Sequence, residues 1–465
     1  MLASGLTITG LTIKSYQQRL ARSAKAFRLP VLFLLVSPLA FAEEAAPQNE
    51  PGKLRLPEPL TLEFVLNLDV TGHPSLQRAS ASVELNKANQ TLAESNYDFT
   101  ANLLLEGRAV EPNPIVADQG NDDSQAHMII AKRLYDFGRT SAAEEAALAD
   151  AEGSELLYAD AANRHRIEII SHFFAVLLAD LRFTRDNEAM SIGYVQYDRG
   201  RHRNNLGQLS DVELLKLENR FQLQRRDYFK SQAEQRNARS RLANMIDRPG
   251  ELVSHLAEPA LHVPLGDVPD FEELQSRALA SNPVLKALRL QVSAAEGRVR
   301  EARSGRNPVL EGEARWSEYA RDLGGYDQWR IGIALDVPLI ASDSVKANVA
   351  KRNAELLTLR ARLRDTEMAV SQQLLESWQA LQSLKVGREQ TNVQQQYREL
   401  HLDKNRVLYQ MEAQADLGDA MVEITEARLQ KAMVEYQLAI EWAKLQALTG
   451  EQVNVLREQS NETAK

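Results

Sequence analysis

Residues 309–316, VLEGEARW, and 329–337, WRIGIALDV, decide how this chain is read. In the first stretch Leu310, Gly312, Ala314 and Trp316 alternate with Val309, Glu311, Glu313 and Arg315. In the second, Trp329, Ile331, Ile333, Leu335 and Val337 alternate with Arg330, Gly332, Ala334 and Asp336. A period of two sends successive side chains to opposite faces, so each stretch is a strand with one apolar or small face and one charged face. With Gly324-Gly325 between them the two form a hairpin, over about 308–317 and 327–338. An earlier pair, about 98–109 and 125–133, carries the same signal more weakly. There Leu103, Leu105 and Gly107 alternate with Asn102, Leu104 and Glu106, and Met128 and Ile130 follow a loop around Pro112, Pro114, Gly120 and Asn121. Lys132-Arg133, at the end of that second strand, reads as an interfacial step.

Outward from each strand pair the period changes to that of a helix. From Arg139 to about Tyr197, and from Ser344 to about Leu408, there is no proline, and Ala and Leu recur at three- and four-residue steps. Each run predicts a helix of roughly 60 residues, about 90 Å long at about 1.5 Å per residue. Each then turns back through a second helix, Ser210 to Met245 and Asp416 to Leu448.

The chain also matches itself. Leu62-Glu63-Phe64-Val65 leading to His73-Pro74-Ser75-Leu76 recurs as Phe271-Glu272-Glu273-Leu274 leading to Asn282-Pro283-Val284-Leu285. Asp98-Phe99 aligns with Asn307-Pro308, Leu134 with Leu339 and Leu242 with Leu445. The stretch from Pro249 to Pro269, broken by prolines and glycines, connects the copies. The reading is two structural repeats of helix, strand pair and long α-helical coiled-coil hairpin, at 43–262 and 263–450, with a tail at 451–465.

Composition fits this plan. Few aromatics (6%) beside abundant Ala, Leu, Glu, Gln and Arg suit long helices and coiled coils. A net charge of −9 with both signs interspersed argues against a nucleic-acid partner. The absence of cysteine excludes disulfides, thiolate metal sites, Cys nucleophiles and a lipidated N-terminal Cys. At the N-terminus Lys14, Arg19, Arg22, Lys25 and Arg28 precede an apolar run from Leu29 to about Phe41, and Ala40-Phe41-Ala42 has the form of a cleavage site. Residues 1–42 therefore read as an export signal with a mature start at Glu43. The run is short of the ~20 residues of a membrane anchor and is broken by Pro30 and Pro38. No later stretch approaches that length, so any membrane crossing falls to the strands.

Four strands cannot close a barrel, and open sheet edges are not tolerated in lipid. Several chains contributing four strands each can close one, and three would supply twelve, within the range of outer-membrane barrels. Trp329 and Ile331 would then meet lipid, with Arg330, Asp336, Glu311 and Glu313 facing a wet lumen. A soluble sandwich shares the alternation but has no need of helices so long.

At the hairpin turns the chain resembles the TolC family of outer-membrane efflux proteins, the outer membrane factors. Their turn has Gly, Ser three residues on, an acid at six and apolar residues at seven and eight, before an Ala-rich helix closing on L-x-x-L-x-G. The first copy supplies Gly207, Ser210, Glu213, Leu214, Leu215 and Leu242; the second supplies Ala413, Asp416, Leu417, Ala427, Leu445, Leu448 and Gly450. The likeness extends from Leu60 to Gly450. It implies a mainly α protein with a transmembrane β-barrel, a homotrimer closing a 12-stranded barrel and a 12-helix periplasmic tunnel. Such a duct sits in the outer membrane of a Gram-negative cell with a long periplasmic extension. It passes substrates from an inner-membrane pump and a periplasmic adaptor (membrane fusion) protein, in efflux or type I secretion, and needs neither catalytic group, cofactor nor metal.

The resemblance also implies sites. Asp416 and Asp419 would form two acidic rings at the periplasmic entrance; three residues apart on a helix, they point the same way and raise one another's proton affinity. Gly418 between them stands where the family has an apolar residue, which predicts a looser turn. Gln196 and Glu213 occupy two positions of a gate latch. Opposite them Val407 replaces a tyrosine and Glu412 an arginine, so Arg203 or Arg406 would have to supply the cation, or closure is weaker. Leu206, Gly207 and Ser210, with Gln410, Met411 and Ala413, would be adaptor-facing tips. Ser210 reads equally as the N-cap of its helix.

Other classes fit poorly. The eight histidines are scattered, and no H-E-x-x-H, Walker or G-x-S-x-G pattern is present, which argues against an enzyme. His165 and His172, two turns apart, lack a third ligand nearby in sequence and read as a helix-face coincidence. A periplasmic adaptor or coiled-coil scaffold would have one hairpin flanked by small β-domains, where this chain has two hairpins, each after a strand pair. The sequence leaves open which pump is served and whether the cargo is a drug, a metal or a protein.

Overall fold

The computed structural model describes residues 56–456, apart from 116–117, 265–268, 322–326, 340–342 and 412–415. The export signal and mature start, Gly324-Gly325, Glu412, Ala413 and residues 457–465 lie outside the described residues. The chain is mainly helical with one small antiparallel sheet. It runs through α1 (Leu62–Leu66), α2 (Pro74–Glu94), β1 (Thr100–Glu106), β2 (Gln125–Tyr135), α3 (Arg139–Asn205) and α4 (Asp211–Met245). It continues through α5 (Phe271–Ser281), α6 (Pro283–Arg303), β3 (Val309–Tyr319), β4 (Trp329–Asp336), α7 (Asp343–Gln410) and α8 (Leu417–Leu448).

Local chemistry accounts for the starts and stops. Pro74 and Pro283 sit in the first turn of α2 and α6, where a missing N–H costs nothing. Asn282 caps α6 by accepting from Val284 N and Leu285 N at 3.0 and 3.1 Å, and its Nδ2 donates to Leu448 O, tying α6 to the end of α8. That end is a left-handed cap: Gly450 has φ +77°, and Glu451 N donates back to Gln446 O at 2.8 Å.

The long helices exceed the sequence reading. α3 spans 67 residues and passes Tyr197 to reach Asn205, and α7 spans 68. Gly193 and Gly200 do not break α3, because both lie in its seam with α4. A Cβ at Gly193 would fall on the Gln224 side chain, and one at Gly200 on Leu217 Cδ1. Conversely β1, at Thr100–Glu106, is shorter than the expected 98–109 at both ends.

The sheet has the order β1-β2-β3-β4, all antiparallel. Its register carries one face across all four strands. Leu103 lies opposite Met128, Met128 opposite Trp316, and Trp316 opposite Trp329; Ile130 lies opposite Ala314, and Ala314 opposite Ile331. The other face carries Asn102, Glu106, Gln125, His127, Arg133, Glu311, Glu313, Arg315, Arg330 and Asp336 by the same pairing. A bulge at Leu134 shifts the register between Arg133 and Tyr135.

The helices form a single layer. Beside the sheet its order is α2-α3-α6-α7; farther away it is α4-α3-α8-α7. Small residues let the rods approach: a Cβ at Gly297 of α6 would come within 3.0 Å of Ala142 O and Ala146 Cβ of α3. At mid-length a core of Leu60, Val65, Ile170, Phe173, Leu242 and Val453 joins the connector and the C-terminal extension to α3, α4 and α8. Phe174 stacks there on Tyr436 at 4.5 Å. A second core, with Leu274, Leu285, Leu374, Leu381, Leu438 and Leu445, joins α5, α6, α7 and α8.

Candidate functional site

The hairpin ends farthest from the sheet gather most of the singled-out residues. Between α3 and α4 the turn is a Schellman cap: Gly207 has φ +71°, Gly207 N donates to Asn204 O at 2.8 Å, and Gln208 N donates to Arg203 O at 2.9 Å. Asn204 Nδ2 stitches the turn by donating to Leu209 O and Asp211 Oδ1, both at 2.9 Å. Ser210 then caps α4. Its Oγ accepts from Glu213 N, while the Glu213 carboxylate accepts from Ser210 N and Oγ, a complete capping box. Glu213 is thus engaged inside its own hairpin. Gln196 is half-buried on α3. Leu206 is exposed at this tip, together with Val212 and Leu215.

At the second tip α7 ends with Gln410, and Met411 N donates to Val407 O at 3.1 Å. Val407 and Met411 are exposed, and Arg406 pairs with Asp403 of its own helix at 3.3 Å. Val407 closes an unexpected pattern: Val386, Val393, Leu400 and Val407, seven residues apart, are 66%, 67%, 72% and 53% exposed. A sustained apolar seven-residue step is a coiled-coil seam, and in the single chain this one is bare.

Asp416 N-caps α8 without a side-chain capping bond, and its N–H donates to Asn405 Oδ1 of α7 at 3.3 Å. Asn405 is itself fixed, its Nδ2 donating to His401 O at 2.9 Å. Burial first, then the charge of Asp419 and a hydrogen bond with it, push the Asp416 carboxyl above the ordinary aspartate value. The structure therefore brings Asp416 and Asp419 together. On α8 itself Gly418 has a packing role. A Cβ there would meet Ile192 Cγ2 of α3 at 3.0 Å, so the glycine is what lets α8 close onto α3.

The cation beside this acidic pair is one that the sequence reading did not name. Arg220, on α4, places Nη2 at 3.2 and 3.3 Å from the two carboxylate oxygens of Asp419. Sequence reasoning missed it, although a signal existed: Arg220 lies seven residues beyond Glu213 and so shares its face of α4.

Elsewhere, His165 is buried with its ring 4.3 Å from that of His73 and tilted 36° to it, and burial first, then His73, lowers its pKa. Among the described residues no group of three His, Asp or Glu side chains could hold a metal. No described helix is long and apolar enough to cross a membrane.

Compared with known proteins, residues 274–451 match the family described as Outer membrane efflux protein. No curated protein matches the chain. Among solved structures, the fold is similar to the Campylobacter jejuni CmeC outer membrane channel, with a TM-score of 0.71, 14% identity and coverage of 84% of this chain and 87% of that one. It is similar to the outer membrane protein VceC of Vibrio cholerae (TM-score 0.66, 16% identity, 84% and 97%). It is also similar to the open-state MtrE outer membrane channel of Neisseria gonorrhoeae (TM-score 0.62, 16% identity, 84% and 88%). At these identities the likeness is one of fold.

Proposed function

We propose that the chain is an outer membrane efflux protein, three copies of which make an outer-membrane exit duct for efflux. One observation carries the reading: every layer of the molecule is left open on the same two sides. The sheet ends in unpaired β1 on one side and β4 on the other. The helix layer ends in α2 and α4 on the side of β1 and in α7 on the side of β4. A layer bounded in this way is completed by a head-to-tail neighbour, and a rotation that closes makes a ring. Three copies give twelve strands, with no edge exposed to lipid. The bare stripe of α7 then meets the next copy's α4, where Val212 and Leu215 are exposed.

The sheet has the dimensions and chemistry of a membrane wall. Eleven residues in β2 and β3, at about 3.3 Å each and tilted about 40°, give a depth of about 28 Å, close to the ~25 Å apolar band of such barrels. On the apolar face Trp316 and Trp329 mark one end, and Tyr135, Phe137 and Phe99 lie toward the other. Lys132, also on that face, has its ammonium 4.3 Å from the Phe99 ring, at the aromatic end. The twofold element order supports duplication of one unit, at 43–262 and 263–450. The exposed tips around Leu206, Gly207 and Ser210, and around Gln410 and Met411, suit docking by a periplasmic adaptor that connects to an inner-membrane pump. The paired aspartates suit a cation-selective entrance.

The test is direct. Detergent extracts of outer membranes should yield a trimer that forms cation-selective pores in planar bilayers. Release of the protein by salt as a monomer without conductance would sink the reading in favour of a soluble scaffold.

A further inference from the structure

Among the described residues, Lys132 is the one charge that strand pairing places inside the apolar band of the sheet. Ile130, Ala314 and Ile331 form the row toward the tryptophans, and Tyr135, Leu310 and Leu335 the row toward the helices. Lys132 stands between these rows, opposite Gly312, which in turn stands opposite Ile333. The acid that the same pairing puts on this face, Glu318, lies beyond the tryptophan row and out of reach. Extending the β1–β2 register by one step brings Phe99 opposite Lys132, and the ammonium lies 4.3 Å from the centre of that exposed ring. Gly312 puts no side chain between Lys132 and Ile333, and Leu134 leans into the space: a Cβ at Gly312 would meet Leu134 Cδ1 at 3.3 Å. The lysine row lies about 5 Å inside the Tyr135 row, for two residues of about 3.3 Å at a tilt of about 40°. A lysine stem spans that depth by snorkelling. The ring attracts the cation through its quadrupole but carries no net charge, so the positive charge at the edge of the hydrocarbon stays uncompensated within the chain.

We propose that Lys132 and Phe99 form a headgroup site for one anionic phospholipid per chain, in the leaflet on the helix side of the membrane. This rests on the duct reading and adds a specific ligand to its lipid-facing surface. The phosphodiester oxygens accept from the ammonium on the side away from the ring, as charge-assisted bonds in a place of low dielectric. The acyl chains run toward the bilayer centre over Ile130 and Ile333. A headgroup without a cation of its own is preferred, because the ammonium of a zwitterion competes with Lys132 for the same phosphate. The site has a structural consequence as well. Phe99 precedes β1, the edge strand, so in a closed ring the lipid sits beside the joint between copies and holds that joint at headgroup level.

The experiment is native mass spectrometry of the full-length protein, reconstituted into vesicles of mixed phosphatidylethanolamine and phosphatidylglycerol and released in mild detergent. The unmodified trimer should retain phosphatidylglycerol, up to one molecule per chain, in preference to phosphatidylethanolamine. Lys132→Gln should stay trimeric and lower that retention about tenfold, the loss of one charge-assisted hydrogen bond. Lys132→Arg should keep the lipid, Phe99→Leu should weaken it, and Arg330→Gln on the opposite face should leave it unchanged. A trimeric Lys132→Gln protein that retains as much phosphatidylglycerol as the parent would overturn the site and leave the duct intact. So would equal retention of the two lipids, which is the behaviour of an unselective lipid shell. Displacement of the lipid by millimolar inorganic phosphate would show a site for a free anion and overturn the lipid assignment. An unmodified protein that neither enters vesicles nor forms a trimer would instead overturn the duct, and the lipid site with it.

Discussion

At the scale of single residues, Gly418 and Asp416 carry the sharpest consequences. Gly418 has no room to grow: a Cβ already lies 3.0 Å from Ile192 Cγ2. Gly418→Leu should therefore push α8 off α3 and cost about 1–3 kcal/mol, the usual range for overpacking. The measurement is thermal unfolding, paired with resting conductance. A variant as stable and as closed as the parent would show that the contact is not tight. Asp416 is raised by burial, by Asp419 and by their hydrogen bond, while Arg220 acts in the opposite direction. A raised carboxyl loses its charge at a higher pH than an ordinary aspartate. Cation selectivity should accordingly begin to fall, as pH is lowered, before the usual carboxylate range is reached. Asp416→Asn should remove that step from the reversal-potential titration, and an unchanged titration would assign it to another group.

At the scale of elements, the exposed step of Val386, Val393, Leu400 and Val407 on α7 is a seam without its partner. Val393→Lys with Leu400→Lys should leave helix content unchanged by circular dichroism and shift extracted particles from trimer to smaller species, read by mass photometry. Persistence of the trimer would place the interface elsewhere. This scale also shows what the sequence makes legible. Strand alternation and helical runs depend on neighbours within a few residues, so VLEGEARW and the proline-free stretches announce their own structure. The β2–β3 register is different, because His127 and Ser317 meet across 190 positions, and pairing at that distance leaves no local trace. The Arg220–Asp419 ion pair is similar: the two residues are 199 positions apart, and an arginine on a polar helix has many companions of its kind. The acidic pair was visible through its place in the hairpin-turn motif of the family that the chain resembles, whereas the cation answering it required the packing of α4, α3 and α8. α3 runs on past Tyr197; glycine ordinarily weakens a helix, and only the close approach of α4 shows why Gly193 and Gly200 belong inside this one.

At the scale of the whole molecule, the two sheet faces should respond oppositely to charge. Ile331→Arg together with Ile333→Arg, on the apolar face, should cost about 2–4 kcal/mol per residue near the bilayer centre and block insertion, seen as loss of heat-modifiable protein from the outer membrane. Arg330→Glu, on the opposite face, should insert normally and shift ion preference alone. Equal tolerance on both faces would mean that neither faces lipid.

The paired open flanks also bear on inheritance. A copy damaged only along α7 still offers a sound α4 to the neighbour on its other side, so it is recruited rather than left out. When damaged and intact copies are made in equal amounts, only about one ring in eight escapes inclusion of a bad member, if members join at random around a closed cycle. Lesions confined to one flank should therefore be dominant in partial diploids, whereas lesions that abolish both flanks should be recessive.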